Sequence, residues 1–108
     1  IYMKKLVVIE SPYAGNIMRN TWYAQKCMAD SLERGEAPIA SHLLYTQPNI
    51  LDEDKPEERK LGIESGFAWG LNAHLIVFYV DYGMSNGMKA AKVFYEKNGI
   101  KTEERRIQ

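Results

Sequence analysis

The stretch "YVDYGMSNGMKAAK" puts Asp81 at the end of an apolar run, follows it with Gly83, Ser85 and Gly87, and opens a helical pattern. A carboxylate at a strand tip, beside Tyr79 and Tyr82, has two chemical uses: it accepts hydrogen bonds from ribose hydroxyls, or it moves protons as a general acid or base. Its plain structural use is to cap the turn before Gly83. Ser85 fits the N-cap of the next helix, and that helix's first turn (Asn86, Gly87 and Met88) would aim backbone N–H groups at an anion. Gly87 costs such a helix roughly 1 kcal/mol relative to Ala, which points to close approach of a ligand to the backbone.

A second small-residue loop, "SPYAGN", brings Ser11, Tyr13, Ala14, Gly15 and Asn16 to the start of another helix. Its N–H groups suit an anion, although it matches neither the phosphate-loop pattern nor GxGxxG. Tyr13 can stack on a base or donate to a sugar; the plain alternative is a surface turn. In "SHLLYTQ", His42 can orient a carboxylate, contact a ligand or act as a base, against the commoner role of a satisfied structural residue. Arg59, in the charged "DEDKPEERK", would reach an anion or stay solvated. Glu64 lies in "GIESGFAWG", where Gly62, Gly66 and Gly70 allow backbones to approach closely. That helix either packs tightly on the sheet or a partner subunit, or delivers Glu64 into the crevice as a catalytic carboxylate beside Asp81. Trp69 and Phe67 suit either the core or a dimer interface. Neither His42 nor His74 has companions at metal-ligand spacing, so no metal and no cofactor are expected. Cys27, the single cysteine, reads as a small apolar residue on a helix face.

The elements that would position these groups alternate between strand and helix. "KLVVIE" is a β-branched run typical of a strand covered on both faces. From about residue 16 to 34, Ile17, Tyr23, Ala24, Cys27, Met28 and Leu32 recur at helical steps before Gly35. "APIASHLLY" is a shorter strand passing into the polar stretch "TQPNILDEDKPEE", a length of loop that is usually functional or mobile. Pro56 with Glu57 and Glu58 marks the start of a helix reaching about residue 72. "HLIVFYV" is the most apolar strand and the central one. A helix over 86–97 and an edge strand in "IKTEERRI" complete βαβαβαβ. This pattern predicts an α/β fold: a small flavodoxin-like three-layer sandwich with a mostly parallel sheet of four or five strands, order 2-1-3-4. Its switch point, between the first and third strands, is where ligands bind in such sheets. Both loops fall there, and Tyr13 and Asp81 are expected to converge on one hollow.

The chain has 108 residues, read as a single domain, with 14 Lys+Arg against 14 Asp+Glu. No global field draws it to a nucleic-acid polymer or an anionic membrane. No apolar run approaches the ~20 residues of a membrane span. The start "IYMKKLVVIE" reads as a strand instead of a leader peptide. With one cysteine, a reducing, cytoplasmic setting is expected, in a cell or an infected host.

Together "VVIESPYAGN", "GEAPIASHLLYTQP", "EERKLGIESGFAW" and "VFYVDYGMSNGMKAA" resemble an uncharacterised domain family of phages and bacteria. That family is similar in pattern to the nucleoside 2-deoxyribosyltransferase superfamily, which includes deoxynucleoside monophosphate N-glycosidases. The resemblance implies a flavodoxin-like domain that forms a dimer or higher homo-oligomer with shared sites. In the enzymes a glutamate on the helix after the Ser/Gly turn attacks the anomeric carbon, and an aspartate assists. Ser85 and Gly87 match that turn and Asp81 matches the aspartate, but the nucleophile's place falls at or near Ala91, and Glu96 is more than a turn further on. The implied function is therefore binding of a nucleotide or nucleotide-derived small molecule without turnover, as in a phage protein that sequesters a host defence signal. The alternatives are an N-glycosidase or deoxyribosyltransferase using Asp81 or Glu64, and an oligomeric protein-interaction module working through the Trp69 helix.

Overall fold

The computed structural model describes residues 3–108; the first two residues of the "IYMKKLVVIE" start lie outside them. Strand β1 (Leu6–Glu10) leads to helix α1 (Ile17–Glu33), then β2 (Ala37–Ile39), a 3-10 turn (Ser41–Leu43), α2 (Pro56–Gly70), β3 (Leu75–Tyr79), α3 (Asn86–Lys97) and β4 (Thr102–Arg105). The sheet is wholly parallel, in the order β2-β1-β3-β4. Val8 lies between Ile39 on one side and Ile76 on the other.

All five residues of β3 are buried, as a central parallel strand covered on both faces requires. Side chains alternate across the sheet. Val7, Ile9, Leu75, Val77 and Tyr79 pack with Tyr23 and Cys27 of α1. Val8, Ile76 and Phe78 pack with Met88, Ala91 and Tyr95 of α3, joined by Phe67 of α2. One face thus carries α1 and the other α2 and α3, the three-layer arrangement that right-handed crossovers produce.

Helix α1 departs from its sequence pattern. Tyr23, Ala24 and Cys27 are buried, but Ile17 and Leu32 are about half exposed, and polar Asn20 and Ser31 are buried instead. Both have work to do: Asn20 binds the loop after β1, and Ser31 donates to Glu36 at 2.7 Å. Glu36 in turn receives Arg105 of β4 through both carboxylate oxygens, at 2.9 and 3.1 Å. Arg105 also meets Glu103 and the Tyr79 hydroxyl, which donates to Asp30. This network pins the edge strand β4 to the α1 side of the sheet.

The "SHLLYTQ" segment is not strand beyond Ile39. It turns through the 3-10 element, where the Thr46 hydroxyl donates to the His42 carbonyl and Leu51 N–H to the Tyr45 carbonyl. No helix among the described residues is long and apolar enough to cross a membrane.

Candidate functional site

The loop after β1 is shaped from behind by α1. Gly15 has φ +96, a conformation that side chains with a Cβ rarely adopt. The Asn16 side chain accepts from Arg19 N–H at 3.1 Å and caps the helix. Asn20 donates to the carbonyls of Tyr13 and Ala14, at 2.9 and 3.2 Å, while its own oxygen accepts from the Arg19 guanidinium. Ala14, Gly15 and Asn16 stay exposed. The Tyr13 ring stacks on His42, with centroids 4.9 Å apart and planes 19° from parallel. Burial pushes the His42 pKa down to about 4, helped by the charge of Arg59 and opposed by the hydrogen bond that the ring donates to the Ser11 backbone carbonyl. Near neutral pH the imidazole is therefore uncharged, and Tyr13 and His42 form a flat neutral pair across the ends of β1 and β2.

The loop after β3 is largely self-engaged. Asp81 Oδ1 accepts from the Tyr23 hydroxyl at 2.6 Å and from Ile107 N–H at 3.0 Å, and Oδ2 accepts from Gln108 N–H at 3.2 Å. Tyr23 accepts in turn from Asp81 N–H. Burial would raise the Asp81 pKa, but these hydrogen bonds outweigh it and hold the carboxylate below its ordinary value. Asp81 therefore fastens α1 and the segment after β4 to its own loop. Tyr82 packs edge-on against Tyr23, with the Arg19 guanidinium 4.2 Å over its ring. Ser85 caps α3 by accepting from Met88 N–H at 3.2 Å, and the Met88 side chain is core. Asn86 and Gly87 are exposed, and a Cβ at Gly87 would meet only the Ser85 hydroxyl, at 4.0 Å, among the described residues outside its own helical turn. Ala91, the place that the resemblance gives to a nucleophile, is 2% exposed in the core.

Tyr13 and Asp81 thus share one end of the sheet without sharing a hollow. Tyr13 leans to the β2 side, and Asp81 to α1 and the segment after β4. The larger cavity described, about 600 Å³, runs along the first part of α2 and includes neither. Arg59, Lys60, Ile63, Glu64 and Phe67 line it, with Glu53 from the preceding loop. A cavity of about 30 Å³ beside it holds His42 and Tyr45 and shares Glu53 and Ile63. The glycine stripe of α2 faces inward. A Cβ at Gly66 would stand 3.1 Å from that of Ser41, and one at Gly70 would collide with the Tyr95 ring. That close seating leaves Leu61 and Trp69 outward, about half exposed, with Trp69 Nε1 donating to the Tyr45 hydroxyl at 2.9 Å.

One residue absent from the sequence expectations stands out. Glu10 is the last residue of β1 and alternates with Val8, so it faces the α2 and α3 layer. Its carboxyl has no hydrogen-bond or ion-pair partner among the described residues. Burial alone pushes its pKa up to about 7. Two buried side-chain oxygens also lack partners among the described residues, the hydroxyls of Ser11 and Tyr95. Ser11 is next to Glu10 in the chain, and the Glu10 charge helps to raise the Tyr95 pKa. The signal in the sequence is the lone acid that closes the apolar run "KLVVIE" at the switch point. Cys27, by contrast, is buried with its thiol pushed up to about 12, and stays protonated.

Residues 5–105 match a family described as a domain of unknown function, DUF7768. The chain belongs to this family. The match runs from before β1 to the end of β4, so the DUF7768 domain includes the whole sheet and both loops at its carboxyl end. No curated protein and no solved structure matches the chain.

Proposed function

We propose that this DUF7768 domain binds a nucleotide or nucleotide-derived small molecule and returns it unchanged. The observation that carries the reading is the groove of about 600 Å³ along α2, where Arg59 and Lys60 stand beside the acids Glu53, Asp54 and Glu64 and the apolar wall of Phe67. That volume suits a nucleotide-sized ligand; Arg59 and Lys60 are the groups that would meet its phosphates, against the field of the three acids beside them. The Tyr13–His42 pair supplies a flat surface for a base beside the adjoining cavity. The exposed backbone at Ala14 to Asn16 and at Asn86 and Gly87 offers further anion contacts.

The lack of turnover is supported at the two positions that the resemblance gives to catalysis, while Glu64 lines the groove and stays the carboxylate to test. Retaining glycosyl transfer needs one carboxylate at the anomeric carbon and a second group to handle the proton. Asp81 is engaged by its own chain, and Ala91 is a core methyl. On the resemblance to an uncharacterised domain family of phages and bacteria, the domain would act in the cytoplasm of an infected bacterium, as a phage protein holding a host defence signal. Exposed Leu61 and Trp69 on α2 would join copies of the chain into a dimer or higher oligomer.

The test is a thermal-shift panel of purine and pyrimidine 5′-nucleotides and nucleoside diphosphate sugars, followed by chromatography of the released ligand. A shift with intact ligand, weakened roughly tenfold by Arg59→Ala, is the expected result. Free base or sugar phosphate that disappears in Asp81→Asn or Glu64→Gln would replace the binder with an N-glycosidase. No shift with any ligand, together with self-association lost in Trp69→Ala, would favour the interaction module.

A further inference from the structure

We infer that the Glu10 carboxyl is a ligand contact: a subsite for a neutral part of the ligand that presents a hydrogen-bond donor beside an acceptor. A sugar hydroxyl and the amide-like edge of a base both have this chemistry. The inference rests on the nucleotide reading above and extends its site from the α2 groove to the carboxyl end of the sheet; Glu10 faces the α2 and α3 layer there and lines neither of the two cavities described.

The argument starts from cost. A partly buried carboxyl without a protein partner loses hydration and gains no hydrogen bond in return, and a chain that needed only a filled core would place an apolar residue after Ile9. Glu10 stands instead at the end of β1, at the switch point between β1 and β3, where this topology receives ligands. It keeps some accessible surface, so a solute can reach it. No Lys, Arg or His pairs with it among the described residues. The unpartnered Ser11 and Tyr95 hydroxyls are linked to it, one by the chain and one through its charge. Around neutral pH a large share of the Glu10 carboxyls carry their proton. Such a group offers one O–H donor and one carbonyl acceptor side by side, the complement of a hydroxyl or a lactam edge. It does not complement a phosphate, whose charge would oppose the ionised fraction.

The experiment labels the wild-type protein at pH 7 with dicyclohexylcarbodiimide, an apolar reagent that adds to protonated, accessible carboxyls, and maps the adduct by peptide mass spectrometry. Labelling is repeated with ribose, uracil, adenine, and the 5′-nucleotides UMP and AMP, alongside Glu10→Gln and Glu10→Ala. The expected result is modification of Glu10 that at least one probe suppresses. Protection by ribose identifies the hydroxyl source, and protection by uracil or adenine the base edge. Glu10→Gln, which keeps a donor and an acceptor, should hold the protecting probe within about threefold, and Glu10→Ala should weaken it roughly tenfold. No modification of Glu10 overturns the inference, as does modification that none of the probes suppresses. A nucleotide that shifts the melting temperature without protecting Glu10 overturns this inference and leaves the nucleotide reading standing. Protection by ribose or uracil, with no nucleotide bound, does the reverse.

Discussion

Glu10→Gln and a matching change at His42 should expose two opposed pH dependences that mask each other in the native protein. Burial raises the Glu10 pKa from 4.5 to about 7. The unfolded chain ionises this carboxyl above pH 4.5 while the folded chain keeps it protonated, so its contribution to stability falls as pH rises through that window. At about 1.4 kcal/mol per pKa unit, the loss approaches about 3 kcal/mol by pH 7. His42 has the opposite slope. Its pKa falls from 6.5 to about 4, so its contribution is complete above pH 6.5 and is lost as pH drops toward 4, again by about 3 kcal/mol. Between about pH 4.5 and 6.5 the two nearly cancel, and these groups leave the native protein close to flat. Glu10→Gln should leave the His42 slope alone: equal to wild type near pH 4.5, gaining with pH, and more stable by up to about 3 kcal/mol at pH 8. His42→Gln should show the reverse, losing stability as pH rises from 4.5 to 7. Urea denaturation followed by circular dichroism, in half-unit pH steps, measures both. A Glu10→Gln difference from wild type that is the same at pH 5 and pH 8 would refute the desolvation of this carboxyl.

Arg105→Ala should cost about 3 kcal/mol or more in chemical denaturation, because it leaves Glu36, with a side chain only 13% exposed, without its cation. The paired change Glu36→Gln with Arg105→Met should recover most of that loss; no recovery would place the energy in packing instead of charge. Gly70→Ala should destabilise by about 1–3 kcal/mol, since its methyl would overlap the buried Tyr95 ring. Tyr95→Phe should be near neutral in the same assay, because the hydroxyl it removes has no partner.

Several elements were legible because they depend on neighbours along the chain. The β-branched runs around Val8 and Ile76 mark parallel strands buried on both faces, and with helices between them they imply the order β2-β1-β3-β4. Helix α3 covers Asn86–Lys97 as its N-cap Ser85 and the stop at Asn98 and Gly99 indicate. Pro56 opens α2 with acids in its first turn for the same local reasons. The helical pattern locates α1 and its buried Tyr23, Ala24 and Cys27, but not the polar part of its inward face. Asn20 and Ser31 are buried because the Tyr13 carbonyl and Glu36 need them there, and no helical period encodes such partners.

The candidate site divides along the same line. Residue order alone brought Tyr13, His42, Asp81 and Ser85 to the carboxyl end of the sheet, because a parallel strand must release its chain on that side. Which of them remains available was decided by distant parts of the molecule. Asp81 is occupied by Tyr23, 58 residues away in sequence, and by Ile107, 26 away. Glu10 is left without a partner because α2 and α3 close over that face and bring it no cation. Periodicity along a chain sets which way a side chain points; the dielectric and the partners it meets there exist only once the layers have packed.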